Sequence, residues 1–282
     1  MKTSASAPSF FGRWTSRIAV FSAVLLFTAA FLHRIFSLPT PIAFNLAAVA
    51  FLGAALAIIF AVLAIIGIWR TGRAGTSRAV FAILISLALM LWPLFFLPKY
   101  DGLPSINDVT TDTADPPPFV EVAKLRPPDA NAVAYPGEPF ARKQAAAYPD
   151  IRPIEIDRPA DEVFELVMAA LRRLKLPVVH QQPPDDAAGR PGFIEVADRT
   201  FILGIPEDIA IRVTGTEQHA RVDVRSAWRY GRHDLGFNAD RVRVLLKEIV
   251  VAMESTVPAA RNEKAEEPKE EEPRNRRSRN RR

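Results

Sequence analysis

The sequence predicts an α+β protein on a membrane anchor, with two to three transmembrane helices at the N-terminus followed by an antiparallel sheet of four to five strands and two helices packed on one of its faces. Three observations carry this. Residues 1–98 contain no Asp or Glu and hold long apolar runs. Between Ile151 and Tyr230, apolar and polar residues alternate in several short stretches. Two further stretches place apolar residues at helical spacing. The charge follows the same division. Of the formal net charge of +5, the first 98 residues carry +7 and the tail from Ala259 carries +3, which leaves about −5 for the middle. A basic total ordinarily points to nucleic acid, and the acidic middle argues against that partner. With no cysteine in the chain, a disulfide framework and a thiolate metal site or nucleophile are excluded.

The anchor, residues 1–98, is read span by span. Ile42–Trp69 is apolar apart from Asn45 and exceeds the roughly 20 residues that cross a bilayer. Ala79–Leu97 is also long enough, with Trp92 near its end, where an interfacial aromatic is expected. Ile18–Leu32 is shorter and is bounded by Arg17 and by His33-Arg34. It is read as an uncleaved span rather than the core of a signal peptide. Arg70, Arg73 and Arg78 lie in the connection "RTGRAGTSR", whereas the preceding connection carries only Arg34. The positive-inside rule keeps the three-arginine connection cytoplasmic. The expected setting is therefore a membrane, with everything after Leu97 on the side away from the cytoplasm and the lipid bilayer as first partner.

Residues 99–150 are rich in Pro, Asp and Ala and are expected to form an ordered but irregular arm. In "SINDVTTDTADPPPF", Asp108, Asp112 and Asp115 cluster without the spacing and closing Glu of a calcium loop. Side-chain turns are the preferred reading there, and no metal or other cofactor is assigned.

The folded domain, residues 151–257, opens with the alternating "IRPIEI". A helix over "DRPADEVFELVMAALRRL" follows, with Asp157 as cap and Pro159 in its first turn. Strands are expected at "VVHQQ", "GFIEVADRT", "DIAIRVTGT" and "HARVDVRSAWRY". Alternation places Val222, Val224, Ser226 and Trp228 on one face and Arg221, Asp223, Arg225 and Arg229 on the other, so one wet face is expected. A second helix runs from about Ala239 to Glu254, capped by Asn238. Residues 258–282 form a charged tail with too few apolar residues to fold. Its arginines also suit anionic lipid headgroups or nucleic acid.

The run "RSAWRYGRHDLGFNADR" holds the polar residues that invite a chemical reading. Ser226 as nucleophile with His233 as base is disfavoured, because Ser226 alternates with core residues and no nucleophile-elbow motif surrounds it. Asp234 suits the positive end of the following helix and lies close enough in sequence to pair with Arg232 or Arg229. The arginines of the open strand face, Arg212, Arg225 and Arg229, lie beside Glu155, Glu195 and Asp223. They form either a solvated charge ladder or a docking surface for an anionic ligand.

Three blocks, "GLPSINDVTTDTADPPPF", "IEVADRTFILGIPEDIAIRV" and "RVDVRSAWRYGRHDLGFNADRVRVLL", resemble the bacterial domain of unknown function 1499 over about Gly102 to Val251. The resemblance picks out Asp108, Thr111, Asp112, Pro116, Pro117 and Phe119 in the first block. In the last it picks out Arg225, Ser226, Arg229, Gly231, Asp234, Gly236, Asn238 and Arg241. Trp228 and Ile205-Pro206 depart from its pattern. It implies a domain boundary and a bacterial setting, so that the expected membrane is a bacterial inner membrane with the sheet domain in the periplasm, and it implies no activity. The expected role is a non-catalytic envelope module that binds an envelope protein or a small anionic ligand. Its candidate surface is Asp108, Thr111, Asp112, Arg225, Arg229, Asp234, Asn238 and Arg241. The alternative is a hydrolase or metal-dependent enzyme using Asp108 and Asp112 of the arm with His233 and Asp234 of the turn.

Overall fold

A computed structural model describes residues 10–72, 74–185, 188–201 and 204–256. Lys2, Arg73 and the tail expected over 258–282 lie outside the described residues. Three helices, α1 (Phe10–Ile35), α2 (Thr40–Thr71) and α3 (Thr76–Phe95), are long and apolar enough to cross a membrane, the last together with the short α4 (Leu97–Gly102) that continues it. Their packing inverts the pattern of a water-soluble bundle. Alanines occupy the contacts, with Ala19, Ala57 and Ala82 in one cluster and Ala61, Ala64 and Ala79 in another. Phe21, Phe27, Leu52 and Trp69 point outward. Small residues let apolar helices approach closely where no water drives them together. A Cβ added at Gly53 would collide with Ser22 Oγ of α1. The first helix is longer than the apolar run at its centre suggests, because its arginines and aromatics continue the same helical path. Gly72, at φ 67°, ends α2 in the left-handed conformation and donates its N–H to Ile68 O at 2.8 Å, a cap that glycine adopts without a Cβ penalty.

The sheet has six strands, one more than the expected upper count. They are β1 (Asp108–Thr110), β2 (Ile154–Ile156), β3 (Val178–Gln182), β4 (Gly192–Arg199), β5 (Pro206–Gly215) and β6 (Ala220–Trp228). All neighbours are antiparallel, in the order β1-β6-β5-β4-β3, and β2 also pairs β6. The additional strand comes from the arm. β1 lies beside Arg225–Ala227 and β2 beside Ala220–Val222, so two short pieces share one edge of β6. The outer edge of β1 is closed by a side chain. Gln144 of α6 (Glu138–Ala147) accepts from Thr110 N at 3.0 Å and donates to Thr110 O at 2.6 Å, as a further strand would.

Helices α7 (Ala160–Arg173) and α8 (Phe237–Glu254) cover one face. Val163, Phe164, Val167 and Leu171 of α7 and Val242, Leu245 and Ile249 of α8 meet Ile194, Ile209, Ile211, Val222 and Val224 in one core. This is the arrangement expected from the helical stripes. Two capping expectations are corrected. Pro159 takes the N-cap position of α7, and Asp157 instead meets His219 Nδ1 at 3.0 Å. At α8 the N-cap is Gly236, at φ 82°. Asp234 accepts from the N–H groups of Gly236 and Asn238 at 2.9 and 3.0 Å. Asp234 therefore does the work assigned to Asn238, because one of its oxygens reaches the N–H of the cap residue and the other the free N–H of Asn238 in the first turn.

The opposite face is not wet. The arm folds across it, and α5 (Glu121–Lys124) brings Phe119 and Val122 against Ala210 and Ala227, with Phe193 and Ala197 at the margin. Small residues on the strands leave room for this second layer, which alternation within the strands cannot reveal.

Candidate functional site

Two places could carry function: the charged face beneath the arm, and the junction between the sheet and the membrane helices. On the charged face, β6 and β1 set Arg225 beside Asp108. Arg225 Nε and Nη2 donate to the two Asp108 oxygens at 3.0 and 2.7 Å, and its Nη1 and Nη2 reach Pro117 O and Val133 O at 3.2 and 2.9 Å. The guanidinium also stacks on Phe119, 4.3 Å from the ring centroid. Both partners are buried. Burial pushes the Asp108 carboxyl up from its ordinary value, and Arg225 pulls it back. Asp208 of β5 accepts from Arg126 Nε at 2.7 Å and from Arg229 Nη2 at 2.6 Å. Arg229 thus pairs with Asp208 and not with Asp234. Thr111 accepts from Val224 N at 2.9 Å. Asp112 accepts from Ala114 N and Asp115 N, each at 3.0 Å, and from Arg221 at 2.8 Å, a side-chain turn stapled to the sheet.

The expected ladder is therefore internal. Glu195 has no arginine partner among the described residues: its carboxylate accepts from Val120 N at 2.7 Å and Glu121 N at 2.8 Å and holds α5 down. Arg212 bridges Asp115 and Asp223, and Glu155 meets His219. The candidate surface residues Asp108, Thr111, Arg225, Asp234 and Asn238 are buried, while Asp112, Arg229 and Arg241 are partly so. The expected open anion-docking face is instead covered, since carboxylates of the arm and of the sheet and carbonyls of the arm take most of the guanidinium donors, while Arg126 Nη2 and Arg212 Nε have no hydrogen-bond partner among the described residues.

The residues of the enzymatic alternative have separate partners. Asp108 meets Arg225, Asp112 meets Arg221, and Asp234 meets the start of α8. His233 accepts from Leu235 N at 2.9 Å through Nδ1, which leaves Nε2–H to donate to Tyr100 O and Leu103 O at 3.1 and 3.2 Å. Ser226 donates to Asn238 Oδ1 at 3.0 Å, and Asn238 donates to Asn107 O at 2.9 Å. Among the described residues, no group of three or more His, Cys, Asp or Glu side chains is placed to hold a metal ion.

Arg241 bridges Asp198 and Glu207 at the end of the helix-covered face. Burial pushes Glu207 up to about 7 against the pull of Arg241. Asp234 is pushed up to about 6, again by burial, although it accepts hydrogen bonds from the backbone of α8.

The second place is a cavity of about 900 Å³ at the junction. Phe27 and His33 of α1, Phe44 of α2 and Trp92 of α3 form its walls, and Ile205 and Trp228 lie on the side of the sheet. Among the described residues, no Lys, Arg, Asp or Glu lines it. The junction is tied by polar contacts: Arg199 donates to His33 O at 3.3 Å, His233 donates to the chain leaving α3 and α4, and Lys99 lies 5.5 Å from the Phe237 ring centroid. His33 Nδ1 is 2.7 Å from Leu38 O, while His33 Nε2 and Trp228 Nε1 are buried and have no hydrogen-bond partner among the described residues. Neither residue stands among the sequence candidates. The usable signal was His33 itself, a polar ring beside an apolar run, because intramembrane polar groups tend to be functional.

A search of the curated proteins finds no match. A scan against protein families matches residues 108–249 to DUF1499, described as a protein of unknown function. The matched segment begins at β1 and ends within α8, so it takes in the arm as well as the sheet and its two helices. It spans half of the 282-residue chain, and the chain belongs to the DUF1499 family.

Proposed function

We propose that this chain is a non-catalytic binding module of the bacterial inner membrane. Its sheet domain stands in the periplasm, and its binding site is the junctional cavity rather than the arginine face. The observation that carries this reading is the contrast between the two places. The arginines beneath the arm are paired with carboxylates of the chain, although Arg126 Nη2 and Arg212 Nε have no hydrogen-bond partner among the described residues. The cavity instead offers a large apolar volume with no charged side chain among the described residues that line it. Concave apolar sites with a few placed polar groups are the common form of small-molecule sites, at roughly 300–1,000 Å³. The placement is supported by Arg70 and Arg78, which flank the α2–α3 connection at the end of the bundle away from the sheet. The occupant enters from the bilayer, since Phe27, Phe44 and Trp92 are all exposed on the helix surfaces beside the cavity.

The test is to fill the cavity. Ala47 of α2 lines it, and Ala47→Trp should abolish lipid retained by the full chain in native mass spectrometry from mild detergent. The chain should still melt cooperatively. Equal retention by the wild type and Ala47→Trp would remove the cavity as the binding site.

A further inference from the structure

The connection between β4 and β5 closes around Thr200. Its N–H donates to Ile205 O at 2.9 Å, its carbonyl accepts from Gly204 N at 2.9 Å, and its Oγ1 accepts from Ile205 N at 3.0 Å. Phe201 follows it and is 86% exposed, whereas every other exposed large apolar side chain beyond Gly102 is at 50% or less among the described residues. Scattered exposed apolar residues are ordinary, so the place of this ring decides its meaning. We propose that the β4–β5 hairpin is seated in the lipid interface, with Phe201 among the phospholipid headgroups and upper acyl chains beside the end of α1.

That place is set by α1. A Cβ built at Gly204 would lie 3.4 Å from Arg34 Cδ and 3.6 Å from His33 Cδ2, and Arg199 at the start of the hairpin donates to His33 O. Three residues of chain reach at most about 11 Å, so Phe201 is held near the last turn of α1. This turn stands at the edge of the hydrocarbon. From Arg17 to Arg34 the helix rises about 26 Å at 1.5 Å per residue, less than the roughly 30 Å of a bilayer core, so both guanidinium groups reach outward from the boundary. Arg34 is exposed, with no ion-pair or hydrogen-bond partner among the described residues, which leaves it free to meet lipid phosphate. Phe31 and Ile35 of α1 and Phe36 just beyond it are exposed at the same end. Phe201 therefore continues the apolar surface that the spanning helices present to lipid, at the level where interfacial anchors bury Phe, Trp and Leu. Lipid contact at Phe201 is independent of what the junctional cavity holds.

With no cysteine in the chain, Phe201→Cys and Gln218→Cys each give a single site for a fluorophore. Both positions are exposed, where exchanges change stability little. Gln218 lies beyond the far end of β5 (Pro206–Gly215), about 30 Å along the strand at roughly 3.3 Å per residue. The labelled full chains are placed one per phosphatidylcholine nanodisc, with and without lipid carrying a nitroxide near the top of one acyl chain. We expect the nitroxide lipid to quench the label at 201 about tenfold more than the label at 218, because interfacial anchors sit roughly 5–10 Å into the headgroup–acyl boundary. Equal quenching at the two positions overturns the proposal. The wild-type chain gives a measurement free of the fluorophore: phosphatidylcholine with a photoreactive group beside its glycerol should cross-link to Phe201, and cross-links confined to the three spanning helices overturn the proposal as well. A change at 201 that appears only with two chains per disc assigns the surface to a second copy and likewise overturns it.

Discussion

At the scale of the residue, the Arg225–Asp108 pair shows how a charged face becomes an interior. A buried ion pair is tolerated when its hydrogen bonds are nearly complete, and Arg225 also serves two arm carbonyls and an aromatic ring. Removing one partner strands the other, so Arg225→Met should lower stability by about 3–5 kcal/mol in chemical denaturation. Asp108→Leu added to it should restore part of the loss, and only part, because Pro117 O and Val133 O still lack their donor. Glu207 gives a pH prediction. Its folded pKa, about 7, lies above the ordinary carboxyl value of 4.5, so between these values the folded state binds more protons than the unfolded one. Stability must then fall as pH rises from about 4.5 to 7 and flatten above. The same sign applies to Asp234, between 3.8 and about 6. Melting of the full chain against pH should show this decline, and Glu207→Gln should reduce it by roughly 3 kcal/mol over the range.

Elements decide how the arm is held. The four-residue α5 is too short to persist alone, and it is fixed by Glu195 reaching across from β4 to the N–H groups of its cap residue Val120 and of Glu121 and Val122. A glutamine offers a carbonyl oxygen and an NH₂ where the carboxylate offers two acceptors. Glu195→Gln should therefore speed amide exchange at Val120, Glu121 and Val122 by about tenfold, with the amides of β5 and β6 little changed. A uniform loss of protection across the sheet would instead show that the arm and sheet unfold as one unit. β6 is the organising element beneath. It pairs with β5 along one edge and with β1 and β2 along the other, so the arm and the start of the sheet domain are joined through one strand.

For the whole molecule, the governing feature is that membrane helices and sheet share a wall. Arg199, His233 and Lys99 tie the two together from three separate segments, and the cavity lies between them. Topology then determines which side of the membrane this wall faces. A reporter that works only after translocation, fused after Pro258, should be active in cells, and a reporter that works only in the cytosol should be silent at the same point. The reverse pattern would put the sheet inside the cell and remove the periplasmic placement.

The sequence by itself determined the apolar helices, the strand segments β2 to β6 and both amphipathic helices. Each is written in the local period of side chains along its own backbone, so Val163, Val167 and Leu171 reveal a buried face without reference to any partner. It did not determine the partners. Alternation in β6 separates two faces but does not say what covers either, so Arg225 reads equally as a surface charge and as a buried one. Only the tertiary structure laid the arm on that face, made Asp108 and Arg225 neighbours across more than a hundred residues of chain, and turned β1 into a strand. It also brought His33 and Trp228 to one cavity, a meeting between a membrane helix and a strand with no periodic signature, because contacts between distant segments depend on packing in three dimensions.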